Sequence, residues 1–445
     1  MSSSDQRKSG FNKSAAELDQ QFGWHPFTQM RDWCDPAYSP LMLESGRGAI
    51  LCDVQGREYI DGNSSIWTNL HGHAHPKINA AITAQLERVA HVSYLGSGHP
   101  GASELAGRLV DFFEPETLER VFFSDDGSTA VEVALKMAAQ YWQQNAAPDR
   151  NYFVAFDNAY HGDTFGASSL GGIPTFHERF KKFHFPVLRV RSLEECAALP
   201  ELAAGRVAGV IIEPMVQAVA GIRLWPEGML SKLRDLCSQH DTFLILDEIM
   251  TGFGRTGKMF ACQHEDVTPD FLCLAKGLTG GYLPLAATLT TRRVFEGFLG
   301  SYEELRSFFY GHSYTANALG CAAALASLDI FEKEKTLENL QPKIAHLKQG
   351  LAGLAEHPHV GEIRQIGFIA GIDVVKKKAD ETGTQQFYPW QQQVGAKVCE
   401  AAKKYGLLTR PIRDTIVLIP PYCSSLEQID QCLDALKKAL DEVCD

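Results

Sequence analysis

Lys276 stands where an apolar run stops and glycines begin. Phe271–Ala275 is apolar, Gly277 follows at once, and Gly280 and Gly281 come soon after. In parallel α/β sheets, ligands bind outside the carboxyl ends of the strands. Glycines let a ligand approach the backbone, so a lysine here has the position of a Schiff-base amine. A solvated lysine after a strand is the plainer alternative. Asp247 closes a second apolar run, Phe243–Leu246. A carboxylate at the end of a buried strand is costly unless it meets a cation. The protonated ring nitrogen of pyridoxal phosphate (PLP) is such a cation. A helix N-cap, or a salt bridge to Arg255, would also account for Asp247.

A phosphate would need a cup. Ser124, Asp125, Asp126, Gly127, Ser128 and Thr129 follow the run Arg120–Phe123 and open a segment with Val131, Leu135, Ala138 and Trp142 at helical spacing. Gly127 and Ser128 at such a start offer backbone N–H groups, a hydroxyl and the positive end of a helix dipole. Capping by Ser or Thr gives the same pattern. Tyr160, after the run Tyr152–Phe156, is either a ring to stack on a flat cofactor or a core tyrosine. Two patterns point elsewhere. Gly252, Gly254 and Gly257 match the dinucleotide fingerprint, but no helical stripe follows them and no acidic residue ends a next strand at the required distance. His71, His73 and His75 would share a face if they lay on a strand, as metal ligands do. Gly72 and Pro76 favour a loop or a cavity wall instead, and no metal is expected.

These residues need elements to hold them. Six short apolar runs (Arg120–Ser124, Tyr152–Phe156, Val207–Glu213, Thr242–Asp247, Phe271–Ala275 and Leu285–Thr290) alternate with helix-like segments. That alternation predicts an α/β fold with a mostly parallel sheet covered on both faces. After about residue 330 the texture becomes α+β: an amphipathic stretch Glu332–Leu354, short strands at Ile363–Val374 and Thr415–Ile419, and a helix over Leu426–Val443. The division expected is a loose tail over 1–20, an N-terminal segment over 21–70 with a small hairpin that joins the small domain, a large domain over 71–330 and a small domain over 331–445.

Composition bounds the function. The chain has 445 residues, 45% hydrophobic and 22% charged, which is globular and long enough for two domains. A net charge of −12 argues against a nucleic-acid partner. No apolar stretch reaches about 18 residues, and the polar start lacks a signal-peptide core, so no membrane partner is expected. Eleven scattered cysteines without a C-x-x-C pair suit reduced thiols in the cytoplasm.

With Pro269 and Asp270 between them, the blocks Asp247–Gly257 and Lys276–Gly281 resemble those of the class III, PLP-dependent aminotransferases of fold type I. Trp24–Gln29, Asp61–Trp67, Tyr160–Gly166 and Thr409–Pro411 are similar to one branch of that class. That branch forms 7,8-diaminononanoate from 8-amino-7-oxononanoate in biotin biosynthesis, usually with S-adenosylmethionine as amino donor. The resemblance runs from about Trp24 to the C-terminus. It implies that Lys276 carries the cofactor and shuttles the proton, that Asp247 pairs with the ring nitrogen and that Tyr160 stacks on the ring. It implies that Gly127 and Ser128 hold the phosphate, helped by Ser313 of the partner subunit in a homodimer with a shared active site. Phe27, Trp67, Tyr160, Gly311 and Arg410 would meet the substrates, a keto acid acceptor and a cationic amino donor, with Arg410 on the acceptor carboxylate. The chain has Phe27 where the better-known pattern has Tyr, Ile66 where it has Trp, and Gly311–Tyr314 in place of Gly-Pro-Thr-Phe. A minority of the branch shares these variants and includes members that use lysine as donor. Aminotransferases for ornithine or 4-aminobutyrate share the Asp247 and Lys276 blocks but not the Trp24–Thr28 opening.

Overall fold

The computed structural model describes residues 13–145, 147–379 and 383–444. A meander opens the strand order: β1 (Leu43–Arg47), β2 (Ile50–Asp53) and β3 (Glu58–Asp61). The central strands follow: β4 (Leu118–Ser124), β5 (Tyr152–Phe156), β6 (Val187–Val190) and β7 (Val207–Ile212). After a small hairpin of β8 (Val216–Gln217) and β9 (Arg223–Leu224) come β10 (Phe243–Asp247), β11 (Phe271–Leu274) and β12 (Ala286–Thr291). Seven of these form one sheet in the order β4-β12-β11-β10-β7-β5-β6. All neighbours pair in parallel except β12, which runs against both β11 and β4.

The sheet is apolar on both faces, as a helix-covered parallel sheet must be. Successive side chains of β10 show it: Phe243 and Ile245 join one core cluster, while Leu244 and Leu246 join the other. Phe271 with Cys273, and Leu272 with Leu274, divide in the same way on β11. The short edge strand β6, which carries Arg189 among its four residues, has no clear apolar pattern. Its Arg189 donates to the carbonyls of Ser169 and Leu170.

The C-terminal strands are β13 (Val360–Ile366), β14 (Ile369–Val374), β15 (Leu407–Leu408), β16 (Arg410–Ile412) and β17 (Thr415–Leu418). Four of them make an antiparallel sheet, β13-β14-β17-β16, and β15 instead pairs in parallel with β3. The first strands of the chain and a strand near its end therefore share one sheet. The amphipathic stretch expected over Glu332–Leu354 is the helix Thr336–Leu354, and a separate helix, Ala318–Lys333, precedes it. The break between them has Lys335 in a left-handed conformation. Among the described residues no helix is long and apolar enough to cross a membrane.

The loose tail expected over 1–20 is corrected in its second half; residues 1–12 lie outside the described residues. Ala15–Phe22 is a helix closed by a reciprocal capping box between Ser14 and Glu17. Asp19 then accepts from the Trp33 indole and meets His25, and Gln20 donates to the carbonyl of Trp33. Those tertiary partners leave no mark in the local apolar pattern.

Arg255 locks the N-terminal segment to the rest. It is fully buried and donates to the carbonyls of Asn69 (3.0 Å) and Pro420 (3.1 Å), with Tyr422 packed against its guanidinium. Arg255→Met leaves both carbonyls without their charged donor, and we expect a loss of about 2–4 kcal/mol of stability. Urea unfolding of the two proteins at one pH measures it.

Candidate active site

The carboxyl ends of the parallel strands meet at one cavity of about 1480 Å³. Lys276, Asp247, Tyr160, Gly127, Ser128, Trp67, Phe27 and Arg410 all line it. Asp247 pairs in register with Cys273, so Lys276 follows three residues along the neighbouring strand. Lys276 has φ of +39°, an unfavourable value for a lysine that surrounding structure must hold. Its ammonium lies 4.8 Å from the centre of the Trp67 ring. Burial pulls the Lys276 amine down to about 8, against the opposing pull of Asp247 and Glu213. An amine near 8 is partly uncharged at neutral pH and able to attack a carbonyl.

Asp247 is 5% exposed. It neither caps a helix nor meets Arg255. Its Oδ2 lies 2.7 Å from His161 Nδ1, and its Oδ1 accepts from the Ile249 N–H. The other ring nitrogen of His161 is buried without a protein partner among the described residues. His161 sits beside Tyr160 in a block prominent in the sequence, yet nothing local shows that it meets a residue 86 positions away.

The helix start forms as the pattern predicts, with one difference. The helix Gly127–Gln144 is capped by Asp126, which accepts from the Thr129 N–H at 2.9 Å. Capping by Asp126 leaves the Ser128 hydroxyl to accept from the Asp163 N–H at 3.1 Å. Gly162 lies between them with φ of +120°, and a Cβ there would come within 2.1 Å of Ser128 Oγ. One turn along the same helix face, Glu132 accepts from the Thr164 hydroxyl and from the N–H groups of Gly166 and Ala167. The loop that carries Tyr160 is thus tied to the helix that forms the cup. Tyr160 donates to Asp163 at 2.5 Å, and burial together with that bond pushes its phenol far up.

Glu213, after the last residue of β7, also faces the cavity. The N–H groups of Tyr160 and Ala218 donate to it. It shows the same signal as Asp247, a carboxylate closing an apolar run, although that signal alone does not reveal its role. Thr175, Phe176, Phe387, Tyr388, Trp390 and Arg413 complete the cavity wall with no motif to announce them. Gly311 and Ser313 are not brought into this cavity by their own chain. They lie in an exposed stretch where His312 Nε2 comes within 3.4 Å of Asp125. The three histidines take different partners: His71 meets Ser327, with the His75 ring 6.1 Å away, His73 meets Asp61, and His75 stands at the start of the helix Pro76–Leu86. Gly252, Gly254 and Gly257 lie in turns that open no helix. Among the described residues no group of three His, Cys, Asp or Glu is arranged to hold a metal ion.

The donor set fits PLP. A buried carboxylate awaits a cation, an amine of lowered pKa faces it, and an aromatic ring stands beside them. The cup at Gly127 has no room for a side chain, since a Cβ would meet Ile249 at 2.9 Å. Ser124 Oγ, buried three residues before Gly127, has no protein partner among the described residues.

Burial raises the Glu213 carboxyl to about 7, which Asp247 reinforces and His161 and two backbone N–H groups oppose. A value above the usual 4.5 means that folding favours the protonated form. The stabilisation is whole below about pH 4.5 and is lost as pH rises through 7. We expect the stability of the protein without cofactor, relative to Glu213→Gln, to fall by about 3 kcal/mol between pH 4.5 and 8. Urea unfolding across that range checks the slope; a difference independent of pH would contradict it.

The family model "Aminotransferase class-III" matches residues 34–440. A curated adenosylmethionine-8-amino-7-oxononanoate aminotransferase from Geobacter sulfurreducens is 43% identical, covering 96% of this chain and 97% of its own. Its counterpart from Aquifex aeolicus is 44% identical, over 97% and 98%. The crystal structure of the Methanocaldococcus jannaschii enzyme of that name superposes with a TM-score of 0.92 at 42% identity, covering 96% of this chain and 98% of that one. An amine transaminase from an uncultivated Pseudomonas species, solved in its PLP-bound form, superposes with a TM-score of 0.86 at 32% identity, over 94% and 98%. By sequence over most of its length and by fold throughout, the chain belongs to the class III aminotransferases.

Proposed function

We propose that this chain transfers an amino group to 8-amino-7-oxononanoate, forming 7,8-diaminononanoate in biotin biosynthesis, with PLP as cofactor and S-adenosylmethionine as amino donor. We propose further that it works in the cytoplasm as a homodimer, with Ser313 of the partner subunit completing the phosphate cup. The observation that carries the reading is one cavity that joins Lys276 and Asp247, at adjacent strand ends, to Arg410 across an apolar wall. Met250, Val219, Ile412 and Val417, which pack in one apolar cluster, line the same cavity. An aliphatic chain with a terminal carboxylate suits this combination of surfaces. The names of the relatives supply the particular acceptor.

Each residue then has a task. Gly127 and Ser128 present N–H groups and a hydroxyl to the phosphate. Tyr160 covers one face of the ring, and Asp247 keeps the ring nitrogen protonated, held in place by His161. When bound, PLP would supply an electrophile for amino groups and an electron sink for the reacting carbon. Lys276 would hold it, and its amine, once freed, would carry the proton between the donor's carbon and the cofactor's C4′ in both half-reactions. The kinetics are therefore ping-pong.

The rim supports S-adenosylmethionine as donor. Phe27 (65% exposed) packs edge-on against Phe176 at 5.5 Å, and Phe387 and Trp390 (73% exposed) face the same opening. Aromatic faces at a mouth suit a flat adenine and a sulfonium cation. The cavity exceeds the usual range for a single drug-sized ligand of about 300–1,000 Å³, leaving room for a large donor beside the cofactor.

The test loads the protein with PLP, records its visible band and adds one amine at a time. S-adenosylmethionine should bleach the band and 8-amino-7-oxononanoate should restore it, while Lys276→Ala should do neither. Bleaching by lysine but not by millimolar S-adenosylmethionine would replace the donor and leave the acceptor standing. A band that the keto acid never restores would overturn the acceptor.

Arg410 makes no ion pair among the described residues and is exposed at the cavity wall. Two parallel hydrogen bonds from a guanidinium to a carboxylate are not reproduced by an ammonium. Arg410→Lys should slow the keto-acid half-reaction about 10–100-fold and the donor half-reaction less than threefold, by single-turnover spectra.

A further inference from the structure

Four consecutive residues without a glycine among them, Ser64, Ser65, Ile66 and Trp67, have φ of +45°, +49°, +65° and +66°. A left-handed turn of L-residues is sterically disfavoured at every position, and most of all at a β-branched isoleucine. Such a turn persists only where its surroundings over-determine it. This one delivers Ile66 and Trp67 to the cavity wall, with Trp67 beside Lys276.

What holds it is a buried network centred on Asp61, which is 1% exposed. Asp61 accepts from the Ser65 N–H at 3.0 Å and from the Ser65 hydroxyl at 2.9 Å. Its Oδ2 also meets His73 Nε2 at 2.9 Å. The tautomer follows from the neighbours. The Gly72 N–H donates to Asn69 Oδ1, so the Asn69 amide nitrogen faces His73 Nδ1 as a donor at 3.0 Å. His73 Nδ1 therefore accepts and Nε2 donates to Asp61. At the two ends of the turn, Ser64 Oγ donates to the Ile419 carbonyl and the Trp67 indole donates to Asn63.

We propose that His73 and Asp61 are positioning residues for substrate recognition. They hold the left-handed turn that sets Ile66 and Trp67 against the acceptor's apolar chain. His73 touches neither cofactor cup nor cavity; it acts through Asp61 and Ser65. The proposal rests on the functional reading above and gives the middle histidine of the His71–His75 stretch a task.

The test compares His73→Leu with the double variant His73→Leu/Ser65→Gly. Leucine removes the donor to Asp61, and glycine adopts left-handed backbone at little cost. We expect His73→Leu to raise KM for 8-amino-7-oxononanoate about tenfold, with kcat within threefold and the Kd for PLP within twofold. Adding Ser65→Gly should bring KM back to within threefold of the parent. Near-ultraviolet circular dichroism of the cofactor-free protein should change in the single variant and recover in the double, reporting the tryptophan's setting without turnover. An unchanged KM, or a KM that rises only in step with lost PLP affinity, overturns the proposal, as does failure of Ser65→Gly to rescue. If His73→Leu does not fold, Ser65→Val against Ser65→Gly decides: only valine should raise KM and alter the dichroism, and equal effects overturn the proposal. A wild-type protein that binds PLP but never turns over the keto acid sinks the functional reading instead.

Discussion

The 2.7 Å contact between His161 and Asp247 is the constraint around which the cavity is arranged. A carboxylate withdrawn from water at the end of a parallel strand needs a partner, because the interior cannot replace its hydration. His161 supplies one side of that partnership and leaves the carboxylate aimed at the cavity. Placing His161 there dictates the path of the chain after β5. Tyr160 must precede it, Gly162 must turn tightly over Ser128, and Asp163 to Ala167 must dock on the cup helix through Ser128 and Glu132. Tyr160, Asp247 and the helix start at Gly127 and Ser128 are therefore one bonded unit, so none of them moves alone.

Lys276 has its amine tuned by the same surroundings. Its amine is lowered by burial and raised again by two nearby carboxylates, Asp247 and Glu213. The balance lands close to neutral pH, where a lysine can both attack and carry a proton. Backbone strain appears on the cavity wall: Lys276 and the turn that ends at Trp67 adopt left-handed values. In both places dense hydrogen bonding or burial in the surrounding structure supports the disfavoured backbone.

Part of the cavity wall comes from distant parts of the chain. Phe27 and Ile66 arrive from the N-terminal segment, Phe387, Trp390 and Arg410 from the C-terminal part. Two structural links bring these ends together: β15 pairing with β3, and Arg255 bridging Asn69 and Pro420. Part of the cavity wall is thus built from segments that the central sheet does not contain, while Asp247 and Lys276 sit at the sheet's own strand ends.

Local order determined much of this protein. Apolar runs of four to seven residues bounded by polar punctuation specified six of the seven strands of the central sheet, because burial on both faces demands continuous apolar sequence. Lys276 and Asp247 stood out because each ends or follows such a run with a charged group that a buried strand end tolerates only with a partner; Gly127 and Ser128 stood out because they open a helical pattern, and Tyr160 because an aromatic follows a run. Tertiary structure alone decided the rest. His161 met Asp247, Glu132 capped a helix it does not belong to, His73 steadied Asp61, and Phe387 and Trp390 reached the rim. These are contacts between residues far apart in the chain, and hydrogen-bonding capacity carries no address for its partner. The helix at Ala15–Phe22 escaped for a related reason, since its polar face is held by Trp33 and His25 and not by a stripe of apolar residues. Gly311 and Ser313 mark the same boundary, since neither reaches the cavity of its own chain.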